Sequence, residues 1–273
     1  MPFVEQDNVA RQTEVAENGP AFPGDTGAWI PYQYYPWDNS RYVGLGTLQP
    51  MFECPADSRT LQVEAVGGFQ LQLTAYQGVL GVSHFGGKGI WDSTDTNTEV
   101  DPTTNLVTGQ NGILITKQNA TGIMPPGVRI ADVTDGTSNT LMVGERPPSA
   151  DMNYGWMFSG WGNTGDNECD VILGISERNA TGPNGTINPN GLVDPTGTPC
   201  SPGSADPNSP LAYKFSPGDI HNQCDQFHYW SLHAGGGNFV FADGSVHFVT
   251  YGIEPRIQRA LATRNGGEVA ILP

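Results

Sequence analysis

Oxygen-bearing side chains recur at alternate positions in the acidic segment that holds Asp95, Asn97, Glu99 and Asp101. A loop wrapping a hard cation presents ligands in that rhythm, as the Ca²⁺ loop of an EF-hand does. The segment lacks the glycine and the distant bidentate glutamate of that motif, so it is not an EF-hand. Asp166, Glu168 and Asp170 form a second cluster of the same kind. Each cluster reads either as a set of Ca²⁺ ligands or as a solvated loop, and Ca²⁺ is the expected cofactor.

His233 precedes Asp243-Gly244 by nine intervening residues. A catalytic reading makes these a base and its orienting carboxylate, with Ser231, Ser245 or Cys224 as nucleophile. No G-x-S-x-G elbow or comparable context supports it, so no catalytic residue is assigned and a non-enzymatic role is expected. The structural reading is preferred: Asp243 caps backbone N–H groups at a turn, and His233 bonds a carbonyl across the bend at Gly235, Gly236 and Gly237. His221 and His228 add two imidazoles with no helical pattern around them, which makes a His-lined metal site the weaker reading.

The segment Asp135, Gly136, Thr137, Ser138, Asn139 and Thr140 is small and polar, and an apolar strand follows it. Such side chains bond to nearby backbone and stabilise tight turns. Buried, the turn is a fixed corner; exposed, it is an assembly contact. With no Gly-Lys-Ser/Thr it is not a phosphate loop. The four cysteines Cys54, Cys169, Cys200 and Cys224 include no C-x-x-C pair. They read as disulfides of an oxidising compartment, in any of three pairings, or as buried thiols. Cys200 and Cys224 flank a Pro- and Gly-rich loop and are the preferred pair. Trp29, Tyr32, Tyr34, Tyr35 and Trp37 lie among prolines, as a sugar-binding platform or as a loop packed on the core.

These groups need a frame of short strands. Asn238 to Ala242 is rich in strand formers, Asp243-Gly244 is a strong hairpin turn, and Ser245 to Val249 resumes the alternation. Gly244 supplies the positive φ of that turn. Further strands are expected over 61–66, 69–76, 112–117, 129–133, 140–145 and 170–175. The only helical opening is expected within residues 1–20. Residues 176–210 read as a polar surface insertion with no core of its own. A fold of 36 Gly and 22 Pro in 273 residues, with only 15% charged residues, suits strands and turns. We therefore expect a mainly β, at most α+β, single elaborated antiparallel domain spanning 1–273.

The net charge of −16, from 28 acidic against 12 basic residues, argues against nucleic acid or an anionic membrane surface as partner. It suits an extracellular surface or bound cations. No apolar run approaches the roughly 18 residues of a membrane span, and no signal peptide is visible at Met1.

A histidine, nine residues and Asp-Gly, following Phe227-His228-Tyr229-Trp230-Ser231-Leu232-His233, resembles the bacterial prepilin-type processing-associated H-X9-DG family. The run from Asp135 to Glu145 resembles that family's DGTSNT…GE signature. Cys54-Pro55-Ala56-Asp57 resembles its Cys-Pro-Ser-Asp turn, and the regions 155–174 and 213–218 are similar as well. The resemblance implies a pilin-like globular head with His233, Asp243, Gly244, Asp135, Gly136, Ser138 and Asn139 as signature positions. It further implies a secreted structural subunit that polymerises with copies of itself into a filament, tube or surface layer. The opening Met1 to Gln6 is similar to an internal family segment, which implies a chain lacking the family's N-terminal hydrophobic helix. A monomeric carbohydrate-binding module is the alternative expectation.

Overall fold

The structure is a computed structural model that describes residues 46–66, 69–82, 111–114, 128–155, 172–177, 181–182, 186–187, 192–200, 213–268, 270 and 272. Strands β1 (Val63–Val66) and β2 (Phe69–Gln72) pair as an antiparallel ribbon. The principal sheet is built from β3 (Tyr76–Gly81), β4 (Leu141–Glu145) and β5 (Ile172–Gly174) with the later hairpin. Between them in sequence, β6 (Ser176–Glu177) pairs with β9 (Tyr213–Lys214), and β7 (Thr181–Gly182) pairs with β8 (Thr186–Ile187). The hairpin is β10 (Gly236–Phe241) and β11 (Val246–Thr250).

Strand order in the principal sheet is β11-β10-β4-β3-β5. The mainly β expectation is met, and three of the four pairings are antiparallel. The pairing of β3 with β5 is parallel, a long-range crossover that no local residue pattern announces.

Alternation along β10 sets the core. Phe239 and Phe241 are buried while Asn238 and Val240 are only half-buried, as a period of two requires. Phe239 meets Phe215 edge-on at 5.1 Å and Tyr229 at 5.7 Å. The hydroxyl of Tyr229 donates to the carbonyl of Gly78 (2.6 Å) and approaches that of Leu173 (3.0 Å), satisfying its one buried polar atom at the junction of β3 and β5. Leu141, Val79, Leu173 and Val249 complete the same apolar layer.

Four expectations are corrected, the first being the single strand over 69–76, which is two elements: β2 ends at Gln72 and β3 begins at Tyr76. A helix, Pro255–Ala262, lies beyond the hairpin, where none was expected, and buries Leu261 and Ala262 in the core. Proline at its first position has the φ a helix start needs. Residues 129–133 form a 3₁₀ turn, Ile130–Asp132, in place of a strand. The carboxylate of Asp132 accepts from the Arg129 backbone N–H at 2.9 Å and from its guanidinium, and this local bond outcompetes an extended ladder. The described part of 112–117 is a loop, held by Gly112 N–H donating to the Leu80 carbonyl at 2.8 Å. The expected opening helix and residues 115–117 lie outside the described residues.

The insertion carries a disulfide between Cys200 and Cys224, closing a separation of 24 residues. Around it Phe227 is buried, with Leu192 and Tyr213 packed alongside, so the base of this polar segment has a small apolar anchor.

Candidate functional site

Glu145 ends β4, one of the three interior strands of the principal sheet, and its carboxylate is almost wholly buried. One oxygen accepts from the backbone N–H of Asn238 at 2.9 Å and the other from its side-chain amide at 3.1 Å. Glycines at the start of β10 leave room for this packing. A Cβ on Gly237 would stand 3.2 Å from Glu145 Oε2, and one on Gly236 would strike the Val249 carbonyl oxygen.

Cys54 comes from the segment ahead of β1. That segment is docked by Gln72, whose side chain bonds both the N–H and the carbonyl of Gln49, and by Thr74, whose hydroxyl donates to the Phe52 carbonyl at 2.9 Å. The turn at 54–57 closes with Asp57 N–H donating to the Cys54 carbonyl at 2.9 Å. Burial pushes the Cys54 thiol up from its ordinary value; N–H groups of Ala56 and Asp57 pull the other way, and the Glu145 charge adds to the rise. Tyr76, at the start of β3, is pushed up to about 12 by burial, by the charges of Cys54 and Glu145 and by a hydrogen bond with Cys54.

His233 closes the group. Its Nε2 lies 3.5 Å from Glu145 Oε1 and 3.9 Å from Cys54 Sγ. Its own N–H donates to Ser231 Oγ at 3.1 Å, and Ser231 is held by the Tyr251 hydroxyl, which accepts from its N–H and donates to its carbonyl. The bend therefore presents the imidazole to a carboxylate and a thiol, and the expected bond from His233 to a carbonyl is replaced by these contacts. Glu145 and Cys54 both face the same ring nitrogen. A nucleophile relay instead divides its thiol and its carboxylate between the two nitrogens and lowers the thiol pKa. Neither condition is met here. What the arrangement does offer is one sulfur, one nitrogen and one oxygen within 4.8 Å of one another.

Asp243 stands apart from this group. It lies at the hairpin tip, where its carboxylate accepts from Ser245 N–H (2.9 Å) and Ser245 Oγ (2.6 Å), and Gly244 has φ +85°. Those bonds, the hydroxyl first, hold its carboxyl below the usual range. His233 is at the hairpin root, and the six residues of β10 between them span about 20 Å. The capping role expected of Asp243 is thus the observed one, and the two residues do not meet as a dyad.

The turn 135–140 is a fixed corner. Asp135 and Thr140 are buried, and the carbonyls of Thr137 and Thr140 accept from Asp243 and Ala242 N–H, stitching the corner to the hairpin tip. Asn139 donates to the Asp135 carbonyl at 3.2 Å, while Ser138 is exposed. His221 and His228 do not converge. The first sits 3.0 Å from Asp219, the second 3.0 Å from Asp225. Asp95, Asn97, Glu99, Asp101, Asp166, Glu168, Asp170 and Cys169 lie outside the described residues, as do the aromatics Trp29 to Trp37.

Sequence reasoning read Cys54 as a disulfide candidate or a buried thiol, and the structure has it as a free buried thiol; Glu145 was named only as the end of a signature run and given no role. The available signal was that the Cys-Pro turn, the Gly-Glu strand end and the H-X9-DG histidine each carry one residue able to hold a metal. No curated protein and no solved structure matches the chain. A family model described as a protein of unknown function (DUF1559) matches residues 1–256, and the chain that brings these three motifs to one point belongs to that family.

Proposed function

We propose that this chain is a non-enzymatic structural subunit, exported and assembled with copies of itself into an extracellular filament, tube or surface layer. The observation that supports the reading best is the edge strand β11. Among the described residues it pairs with β10 alone, and it leaves Val246 62% and Phe248 49% exposed. An open strand edge with apolar side chains is a template for pairing with another chain, and proteins that stay monomeric blunt such edges with lysine or proline. Here β11 has neither. The disulfide is compatible with export, as is a described structure in which no helix is long and apolar enough to cross a membrane.

Packing subunits of charge −16 brings like charges together, so cations between carboxylates belong to the proposal. Ca²⁺ on Asp95, Asn97, Glu99 and Asp101, with Asp166, Glu168 and Asp170 second, is the arrangement we favour. The test is electron microscopy and sedimentation of the full chain with Ca²⁺ and after exhaustive EGTA dialysis, beside a V246K/F248K variant. Ordered polymers that EGTA disperses, and that the variant cannot form while keeping its Tm, are expected. A wild-type protein that stays monodisperse at every concentration in Ca²⁺ overturns the reading.

A further inference from the structure

We propose that Cys54, Glu145 and His233 form a binding site for a borderline divalent cation, with zinc the expected occupant. In a tetrahedral zinc site, bonds of about 2.0–2.3 Å place neighbouring ligand atoms about 3.4–3.6 Å apart. Nε2 of His233 is 3.5 Å from Glu145 Oε1 and 3.9 Å from Cys54 Sγ, and all three ligand atoms lie within 4.8 Å of one another, so side-chain closure brings them to three corners of such a site. A thiolate, an imidazole nitrogen and a carboxylate oxygen together select zinc over calcium and magnesium, which take oxygen ligands.

The surroundings are those of a held site. Asn238 fixes the Glu145 carboxylate, Ser231 fixes the His233 backbone, and the turn bond from Asp57 N–H to the Cys54 carbonyl fixes the Cys54 backbone. One Nε2 can bond only one of the two groups it faces at a time. A divalent ion satisfies all three groups. The Cys54 and Glu145 side chains are buried, whereas that of His233 is 38% exposed, so solvent reaches the cluster from the histidine side. Such an ion joins three segments remote in sequence: the turn ahead of β1, the end of β4 and the root of the hairpin.

The test uses the full chain, stripped with a chelator and titrated with Co²⁺ and then Zn²⁺, with Ca²⁺ as control. One Co²⁺ per chain should give a thiolate-to-cobalt charge-transfer band, Zn²⁺ should displace it and raise Tm, and Ca²⁺ should do neither. Cys54→Ser should abolish the band, and His233→Ala should weaken Zn²⁺ binding by ~10-fold or more. The second variant decides if the first fails to fold, because the His233 ring is partly exposed. A folded wild type with no band, a band that survives Cys54→Ser, or unchanged affinity in His233→Ala reduces the cluster to an ion pair beside a buried thiol. None of these readouts depends on polymer formation, so assembly and zinc binding stand or fall separately.

Discussion

Replacing Asp135 by alanine removes the clamp that holds the chain after the last helix onto the core. Its carboxylate accepts from Gly266 N–H at 2.6 Å, Gly267 N–H at 2.9 Å and Thr263 Oγ1 at 3.3 Å. Its own N–H donates to the Arg264 carbonyl at 3.2 Å, a bond that alanine keeps. A hydrogen bond to a charged group contributes about 1.5–3 kcal/mol net, and the three share one carboxylate, so their sum overstates the loss. Gly267 is exposed, so water takes over its N–H. The long bond from Thr263 contributes least. We expect a loss of about 2–3 kcal/mol, a fall in Tm on the order of 5–10 °C for a domain of this size. Equilibrium urea unfolding should show a lower midpoint with an unchanged m value. Asp135→Asn keeps one acceptor oxygen and should recover part of the loss. Trypsin should gain access at Arg264 in the alanine variant before global unfolding. If Asp135→Ala shifts stability by less than about 0.5 kcal/mol, the clamp is incidental and its hydrogen bonds are fully replaced by water.

Two glycines should fail for different reasons. At Gly244 a Cβ meets nothing within 4 Å but φ is +85°, so Gly244→Val should cost roughly 1–3 kcal/mol as turn strain; an unchanged Tm would refute that. At Gly144 a Cβ would lie 2.3 Å from the Phe239 ring and 2.8 Å from that of Tyr229, so Gly144→Ala should cost roughly 1–3 kcal/mol or more by overpacking. Reducing Cys200–Cys224 should cost about 3 kcal/mol by loop entropy, and alkylation of the denatured, unreduced protein should label neither residue. The tyrosine at position 76 favours its neutral form in the fold, so its contribution is complete below the ordinary value of 10.0 and is lost as pH rises toward about 12. Urea midpoints measured across that window should fall less steeply in Tyr76→Phe than in wild type.

The hairpin was readable because Asn238 to Val249 combine strand formers with a two-residue turn, and every interaction involved is local. Strand β4 was readable from its own run of strand formers after a small polar turn, and the Cys200–Cys224 pair from its place around a Pro- and Gly-rich loop. Residues 129–133 misled because Arg129 and Asp132 close on each other through side chains, which a count of apolar positions ignores. The helix Pro255–Ala262 is too short for periodicity to stand out, and it depends on burying Leu261 and Ala262 against a sheet formed far upstream. The cluster of Cys54, Glu145 and His233 was hidden for a topological reason. No two of the three share a strand or a turn, and only the pairing of β4 with β10 and the docking of Gln49 by Gln72 bring them together.

The nine-residue gap between His233 and Asp243 acts as a ruler. It fixes how far the histidine at the root stands from the turn at the tip, and thereby how many residues β10 contributes. Adding or deleting one residue within the six of β10 reverses the parity of the strand beyond that point. Phe239 and Phe241 would then face solvent while Asn238 and Val240 turned inward. The Glu145 carboxylate would lose the Asn238 N–H on which it rests. Lengthening by two residues keeps the faces but carries the tip past the 135–140 corner, breaking the bonds from Ala242 and Asp243 to Thr140 and Thr137. A spacing that reads as a label in the sequence is, in the fold, the length of a strand held at both ends.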